Sequence, residues 1–152
     1  MAKSNMIVKL LTETHSKLLS ICLLLLRCTV GIILFVVGCG KVFGWFGGQG
    51  MVLTIQNFFN MGIAPPLAYL SCYTELIGGF LLIGGLFTRP AAFAVMINML
   101  VATIFTLPNG FFFGMAAYPF TLMISAVVIL LAGPMAYSVD SLLLQSGETI
   151  QE

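Results

Sequence analysis

Two side chains of opposite charge, Arg27 and Glu75, interrupt long apolar runs of this sequence. Arg27 lies in LLLLRCTVG, and Glu75 lies in SCYTELIGG. An isolated charge in the middle of a bilayer costs at least about 2.5–3.5 kcal/mol on insertion scales, so such residues are candidates for binding a ligand or carrying a proton. The chemistry that these two groups allow is hydrogen bonding to a polar headgroup and proton transfer.

The positions of the two charges predict that they meet. Arg27 lies nine residues into a span expected to begin near residue 18, and Glu75 lies nine residues into one expected near residue 66. At 1.5 Å per residue, each is about 13–14 Å from opposite faces of a hydrocarbon core about 30 Å thick. We therefore predict an Arg27–Glu75 pair across antiparallel helices. A structural ion pair that fixes helix register is the alternative to a ligand or proton site.

Three further polar or aromatic side chains are candidates for the same site. Lys41 falls on the helical stripe of Arg27, and Trp45 follows it near the outer interface. A snorkelling lysine and an interfacial tryptophan are the alternatives to a binding role. Asn98 lies in a later apolar run, where it is a candidate headgroup donor or makes a hydrogen bond between helices.

Metal and haem chemistry have little support in the sequence. The four cysteines form no C-x-x-C pair and are expected to be small apolar fillers, with a redox or metal role as the alternative. His15 is the single histidine, so one chain cannot hold a haem between two histidines. Any redox chemistry is then expected from a bound organic molecule such as a quinone, or from a partner protein.

The composition places these residues in a membrane protein. Of 152 residues, 60% are hydrophobic and 7% are charged, whereas soluble domains carry roughly 25% charged residues. The net charge of +1 does not imply a nucleic-acid partner. We predict one all-α domain over residues 1–152, a bundle of four transmembrane helices. Its spans are expected near residues 18–43, 66–87, 90–107 and 115–133.

The segments around these spans predict the topology. The first apolar run is too long for a signal peptide and is expected to be an uncleaved helix. Between the first two spans, apolar positions over residues 52–59 predict a short interfacial helix that ends at Gly62, before Pro65-Pro66 begins the next span. Lysine and arginine placement favours cytoplasmic termini. The tail 138–152 is expected to begin another surface helix.

Several stretches resemble the DoxX family of small bacterial membrane proteins. They are RCTVGIILFVVGCGK, TELIGGFLLIGGLFTRP, LPNGFFF and GPMAYSVDSLL, in order over roughly residues 18–145. The resemblance implies a four-span bundle in the bacterial cytoplasmic (inner) membrane, in a family of oxidoreductase or quinol-oxidase-linked subunits. It carries over Arg27, Lys41 and Glu75 as family polar positions. Many relatives have a glutamate after the tyrosine that begins the fourth span, where this chain has Pro119.

We therefore expect a quinone-linked membrane oxidoreductase subunit that works with a redox partner protein. The headgroup is expected beside Arg27 and Glu75, with Lys41 or Trp45 toward the outer mouth. A non-enzymatic scaffold or assembly factor for redox or stress proteins is the alternative. A small-molecule carrier is less favoured, because the sequence shows no inverted repeat. The Gly40-x-x-x-Gly44 spacing leaves a homo-oligomer open.

Overall fold

The computed structural model describes residues 2–134 and 138–141, and for residues 2–16 it describes the backbone only. Five α-helices and two short 3₁₀ helices account for most of this part of the chain, and it contains no strand. The α-helices are α1 (Ala2–Phe43), α2 (Gly50–Asn60), α3 (Pro65–Gly84), α4 (Thr88–Thr106) and α5 (Ala117–Ala132). The 3₁₀ helices are Trp45–Gly47 and Leu107–Asn109.

Three of these helices are long and apolar enough to cross a membrane. The qualifying segments are Lys17–Phe43, Pro65–Gly84 and Thr88–Asn109. Helix α5 is equally apolar in character but has only 16 residues. The prediction of an all-helical membrane protein is therefore confirmed. Helix α1 differs most from its expected bounds, because it begins at Ala2 rather than near residue 18.

Proline and glycine set the limits of α3. Pro65 occupies the first turn, where a missing N–H removes no intrahelical hydrogen bond. Gly85 follows the last turn with φ of 64°, a left-handed conformation that favours glycine. Gly62, with φ of 84°, lies just past the end of α2. The helix start expected at Pro65-Pro66 and the stop expected at Gly62 are both confirmed.

Helices α1 and α3 are antiparallel and touch through their backbones. A β-carbon added at Gly38 would lie 2.6 Å from the Leu76 nitrogen, and one at Gly79 would lie 2.5 Å from the Phe35 nitrogen. Toward the other end, one at Gly31 would lie 2.9 Å from the Ile83 nitrogen. At these three contacts there is no room for a side chain between the two helices. The contacts therefore fix which residues of α1 and α3 face each other.

The remaining helices complete an apolar core. Helix α4 packs on α5 and on α3, and α2 packs against α1 and α3 near the end of α1. Buried side chains from α1, α3, α4 and α5 form one cluster, which includes Leu34, Leu82, Val95 and Ile129. The surface helix expected in the tail 138–152 falls largely outside the described residues, as do Tyr137, Glu148 and Glu152.

Candidate functional site

Glu75 is held by Lys41. The Lys41 Nζ donates a hydrogen bond to Glu75 Oε1 at 2.7 Å and lies 2.6 Å from Oε2. The Glu75 side chain is 5% exposed and the Lys41 side chain is 26% exposed. Helices α1 and α3 meet here because Gly38 and Gly79 let their backbones touch a turn away. The result is a carboxylate and an ammonium in contact inside an apolar bundle.

The predicted Arg27–Glu75 pair is wrong. The Arg27 guanidinium covers Gly85, where an added β-carbon would lie 2.5 Å from Nη1. Nη1 also donates to the carbonyl oxygen of Pro134 at 3.3 Å. Glu75 precedes Gly85 by ten residues on one continuous run of α3, which is about 15 Å at 1.5 Å per residue. Arg27 and Glu75 therefore belong to different layers of the bundle.

The Arg27–Glu75 prediction failed because the depth of Arg27 was counted from the wrong first residue of the span. The prediction counted Arg27 from a span start near residue 18, but α1 continues through that point to Ala2. Arg27 instead lies level with the turn that joins α3 to α4, at Gly85. The glycines carried a better signal, because the contacts of Gly31 and Gly38 set a register in which Lys41, not Arg27, faces Glu75. We call these two levels of the bundle the Arg27 end and the Lys41 end.

Polar groups connect the helix ends at the Arg27 end. We call this group of Arg27, Asp140 and the Pro134 carbonyl the polar joint. Asp140 accepts hydrogen bonds from the backbone N–H groups of Phe87 and Thr88, each at 2.8 Å, and so caps α4. Partial burial alone would raise the pKa of Asp140, but the hydrogen bonds from Thr88 and Phe87 and the nearby Arg27 charge lower it overall. A cavity of about 10 Å³, roughly the space of one water, lies beside Arg27.

Helix α2 covers the Lys41 end. The Phe58 ring lies 5.5 Å from Lys41 Nζ, within cation–π range. Thr54 is buried and Ile55 is half-buried on the same face of α2. Val52 and Phe59, also counted in the predicted apolar face, point away from the bundle and are 81% and 63% exposed. Phe58 could not be singled out as a site residue from the sequence, because apolar positions occur all around this helix.

Asn98 lies at the depth of Glu75 on the neighbouring helix. A β-carbon added at Gly78 would lie 2.9 Å from the Val95 side chain, and α3 and α4 run antiparallel. Glu75 lies three residues before Gly78, and Asn98 lies three residues after Val95. Because the helices are antiparallel, Glu75 and Asn98 lie at the same depth in the bundle. Among the described residues, the Asn98 Nδ2 is buried and has no hydrogen-bond partner. An unsatisfied buried donor of this kind is uncommon and is suited to a ligand oxygen.

Three more side chains surround this layer. Cys72 is fully buried one turn from Glu75 and lies within electrostatic range of both Glu75 and Lys41. The Tyr118 phenol lies within electrostatic range of Glu75. Trp45 stacks on Phe43 with ring centroids 5.0 Å apart and is 58% exposed, so it lies at the rim. From the sequence, Cys72 was expected to be an apolar filler, and Tyr118 was given no role at the site.

Two other sequence features have plain structural outcomes. Pro119 is buried in the first turn of α5, where its missing N–H removes no intrahelical bond. All four cysteines are free. Within the described ranges, no group of three or more His, Cys, Asp or Glu side chains is placed to hold a metal ion.

Comparison with known proteins identifies relatives of the chain. The family model described as DoxX matches residues 22–108. A protein of Bacillus subtilis (strain 168) named "Putative oxidoreductase CatD" is 34% identical over 117 residues, which cover 77% of this chain and 83% of that protein. No solved structure matches the chain. The matched residues include Arg27, Lys41, Glu75 and Asn98.

Proposed function

Since the chain belongs to the DoxX family, we propose that it is a membrane oxidoreductase subunit that uses a lipid-soluble quinone. The related Bacillus protein carries the name "Putative oxidoreductase CatD", which supports this reaction class. The observation that carries the proposal is the Lys41–Glu75 pair, a titratable couple held inside an apolar bundle. A pair kept at this position, with an unsatisfied amide donor at the same depth, is suited to a ligand that is apolar apart from its oxygens.

In this proposal, side chains of the Lys41 end would hold a quinone headgroup. Its two ring oxygens need hydrogen-bond donors, and Lys41 Nζ and Asn98 Nδ2 can supply them from α1 and α4. Glu75 would hold or release a proton at its carboxylate, beside the ammonium that balances its charge. The Phe58 ring would provide an apolar wall on the α2 side. A bound quinone would supply electron transfer coupled to proton uptake and release.

Arg27 has a different part in this proposal from the one expected at first. It lies about 15 Å from Glu75 along α3, beyond the length of a headgroup. We assign it to the polar joint with Asp140 and Pro134 rather than to the quinone. Trp45 would lie at the mouth, and not against the headgroup.

The membrane arrangement belongs to the same proposal. Helices α1, α3, α4 and α5 would be the four spans, and the short α5 would reach across with local thinning or with its flanking residues. Helix α2 would lie in the outer interface, with Val52 and Phe59 toward lipid. The lysine and arginine distribution supports an orientation in which the Arg27 end would lie at the cytoplasmic face of a bacterial inner membrane. Electrons would be exchanged with a partner protein at either face.

The direct test is quinone retention. The full-length protein would be purified with native lipids, extracted with organic solvent and assayed for quinone by chromatography. We expect quinone to co-purify with the wild type and to be lost from Glu75→Gln. Ser125→Ala is the matched control, because Ser125 only bonds the Thr121 carbonyl on its own exposed helix face.

Two results would contradict the proposal. One is an absence of quinone from the wild type above the level carried by an unrelated membrane protein. The other is equal retention by Glu75→Gln. If partner proteins still co-purified in that case, the scaffold alternative would replace the oxidoreductase.

A further inference from the structure

A layer of apolar side chains separates the Lys41–Glu75 pair from the Arg27 end. Leu34 of α1, Leu82 of α3 and Val95 of α4 are each at most 1% exposed. They belong to the continuous buried cluster that also takes in Ala126 and Ile129 of α5. We call this layer the apolar plug. It contains no side chain that could carry a proton.

The backbone contacts of α1 and α3 close the remaining route. An added β-carbon at Gly79 would lie 2.5 Å from the Phe35 nitrogen, and one at Gly31 would lie 2.8 Å from the Ile83 side chain. Helices this close leave no space for a file of water molecules. Along α1 from Lys41 toward the Arg27 end, the next charged side chain is Arg27 itself, at the far side of the plug.

The opposite side of the pair is open. Lys41 lies two residues before the end of α1, and its side chain is 26% exposed. Titratable groups within electrostatic range of Glu75 include Lys41 on α1, Cys72 on α3 and Tyr118 on α5. Tyr118 is the second residue of α5, which begins at the Lys41 end. The Tyr118 side chain is half exposed there. Helix α4 contributes the amide of Asn98, and α2 contributes the Phe58 ring.

We propose that the Glu75 carboxylate communicates with water only through the Lys41 end of the bundle. The route passes beneath the Phe58 ring, along the partly exposed Lys41 side chain. The apolar plug seals the Arg27 end against protons. Through the proposed function, on which this consequence rests, a quinol oxidised to a quinone at this site would pass two electrons to the redox partner protein. Its two protons would leave on the Lys41 side and not on the Arg27 side.

Thiol accessibility in sealed vesicles tests this sidedness. A full-length chain with its four cysteines replaced by alanine would carry Glu75→Cys, and Asn98→Cys would serve as a second, nearly isosteric probe. The reagent is a positively charged, membrane-impermeant methanethiosulfonate. It would be added to right-side-out and to inverted membrane vesicles. Phe46→Cys and Arg89→Cys, both at exposed positions, mark the Lys41 side and the Arg27 side.

We expect both probes to react only in the vesicles in which Phe46→Cys reacts. Val95→Cys, inside the plug, should react in neither preparation, because it is fully buried. Reaction of Glu75→Cys or Asn98→Cys from the Arg27 side, from both sides or from neither side would overturn the proposal. The measurement needs no quinone, so a failed quinone-retention test would leave its outcome unaffected.

Discussion

The Lys41 ammonium lies 2.7 Å and 2.6 Å from the two carboxylate oxygens of Glu75, across the contact between α1 and α3. Its partner is almost completely buried, whereas Lys41 itself retains partial exposure. The two residues therefore differ in what each would lose without the other. Lys41 can turn its ammonium toward the nearby helix end and water, but the shorter, buried Glu75 side chain cannot carry its carboxylate out of the bundle.

This asymmetry predicts unequal effects on stability. Lys41→Met leaves a buried carboxylate without its counter-charge, and we expect the free energy of unfolding in detergent to fall by up to about 3–5 kcal/mol. Glu75→Gln should lower it by only about 0.5–1.5 kcal/mol, since Lys41 can reach water. The double variant should lose less than the sum of the two single changes. Strictly additive losses would show that the two side chains are not coupled.

The backbone contact between α1 and α3 predicts a glycine effect. Gly38→Ala would place a methyl group 2.6 Å from the Leu76 nitrogen, so the helices must separate. We expect a loss of about 1–3 kcal/mol or more in the free energy of unfolding, as for overpacked cores. Gly84→Ala is the control, because nothing lies within 4 Å of an added β-carbon there. Comparable stability of the two variants would count against this packing.

The polar joint at the Arg27 end predicts a pH-dependent contribution from Asp140. Asp140→Ala removes the acceptor for the Phe87 and Thr88 N–H groups, and we expect a loss of roughly 0.5–2 kcal/mol at pH 7. The pKa of Asp140 is lowered in the folded protein. Its contribution is therefore complete above the ordinary aspartate pKa of about 3.9 and is lost as the pH falls through the lowered value.

The measurement is the difference in unfolding free energy between wild type and Asp140→Ala, followed from pH 7 downward. That difference should stay constant to about pH 4 and then shrink. A difference that grows on acidification would contradict the assigned hydrogen bonds.

Helical periodicity was enough to predict the faces that meet. Ala68, Cys72, Glu75, Gly79 and Leu82 recur at helical spacing in the sequence, and each of these residues is buried. The start of α3 at Pro65 was also predictable, because proline is preferred in a first turn. These features depend on local geometry, which sequence spacing reports directly.

The partner of Glu75 could not be predicted in the same way. It depends on how far α1 slides along α3, and hydropathy did not fix that distance because α1 stays helical and largely apolar on both sides of Arg27. Close contacts at Gly31, Gly38 and Gly79 decide the register. The orientation of α2 was uncertain for a related reason, because Val52 and Phe59 are as apolar as the Phe58 that faces Lys41.

The central claim, that the Lys41–Glu75 layer binds a quinone and the Arg27 layer does not, is tested most directly by a fluorescence titration. Trp45, the single tryptophan, lies at the rim of the site, four residues after Lys41, and would be quenched by a bound short-chain benzoquinone. We predict saturable quenching in the wild type and in Arg27→Gln, and affinity weakened by about tenfold or more in Glu75→Gln. Unsaturable quenching that is equal in all three proteins, or a loss of affinity in Arg27→Gln as large as that in Glu75→Gln, would contradict the account.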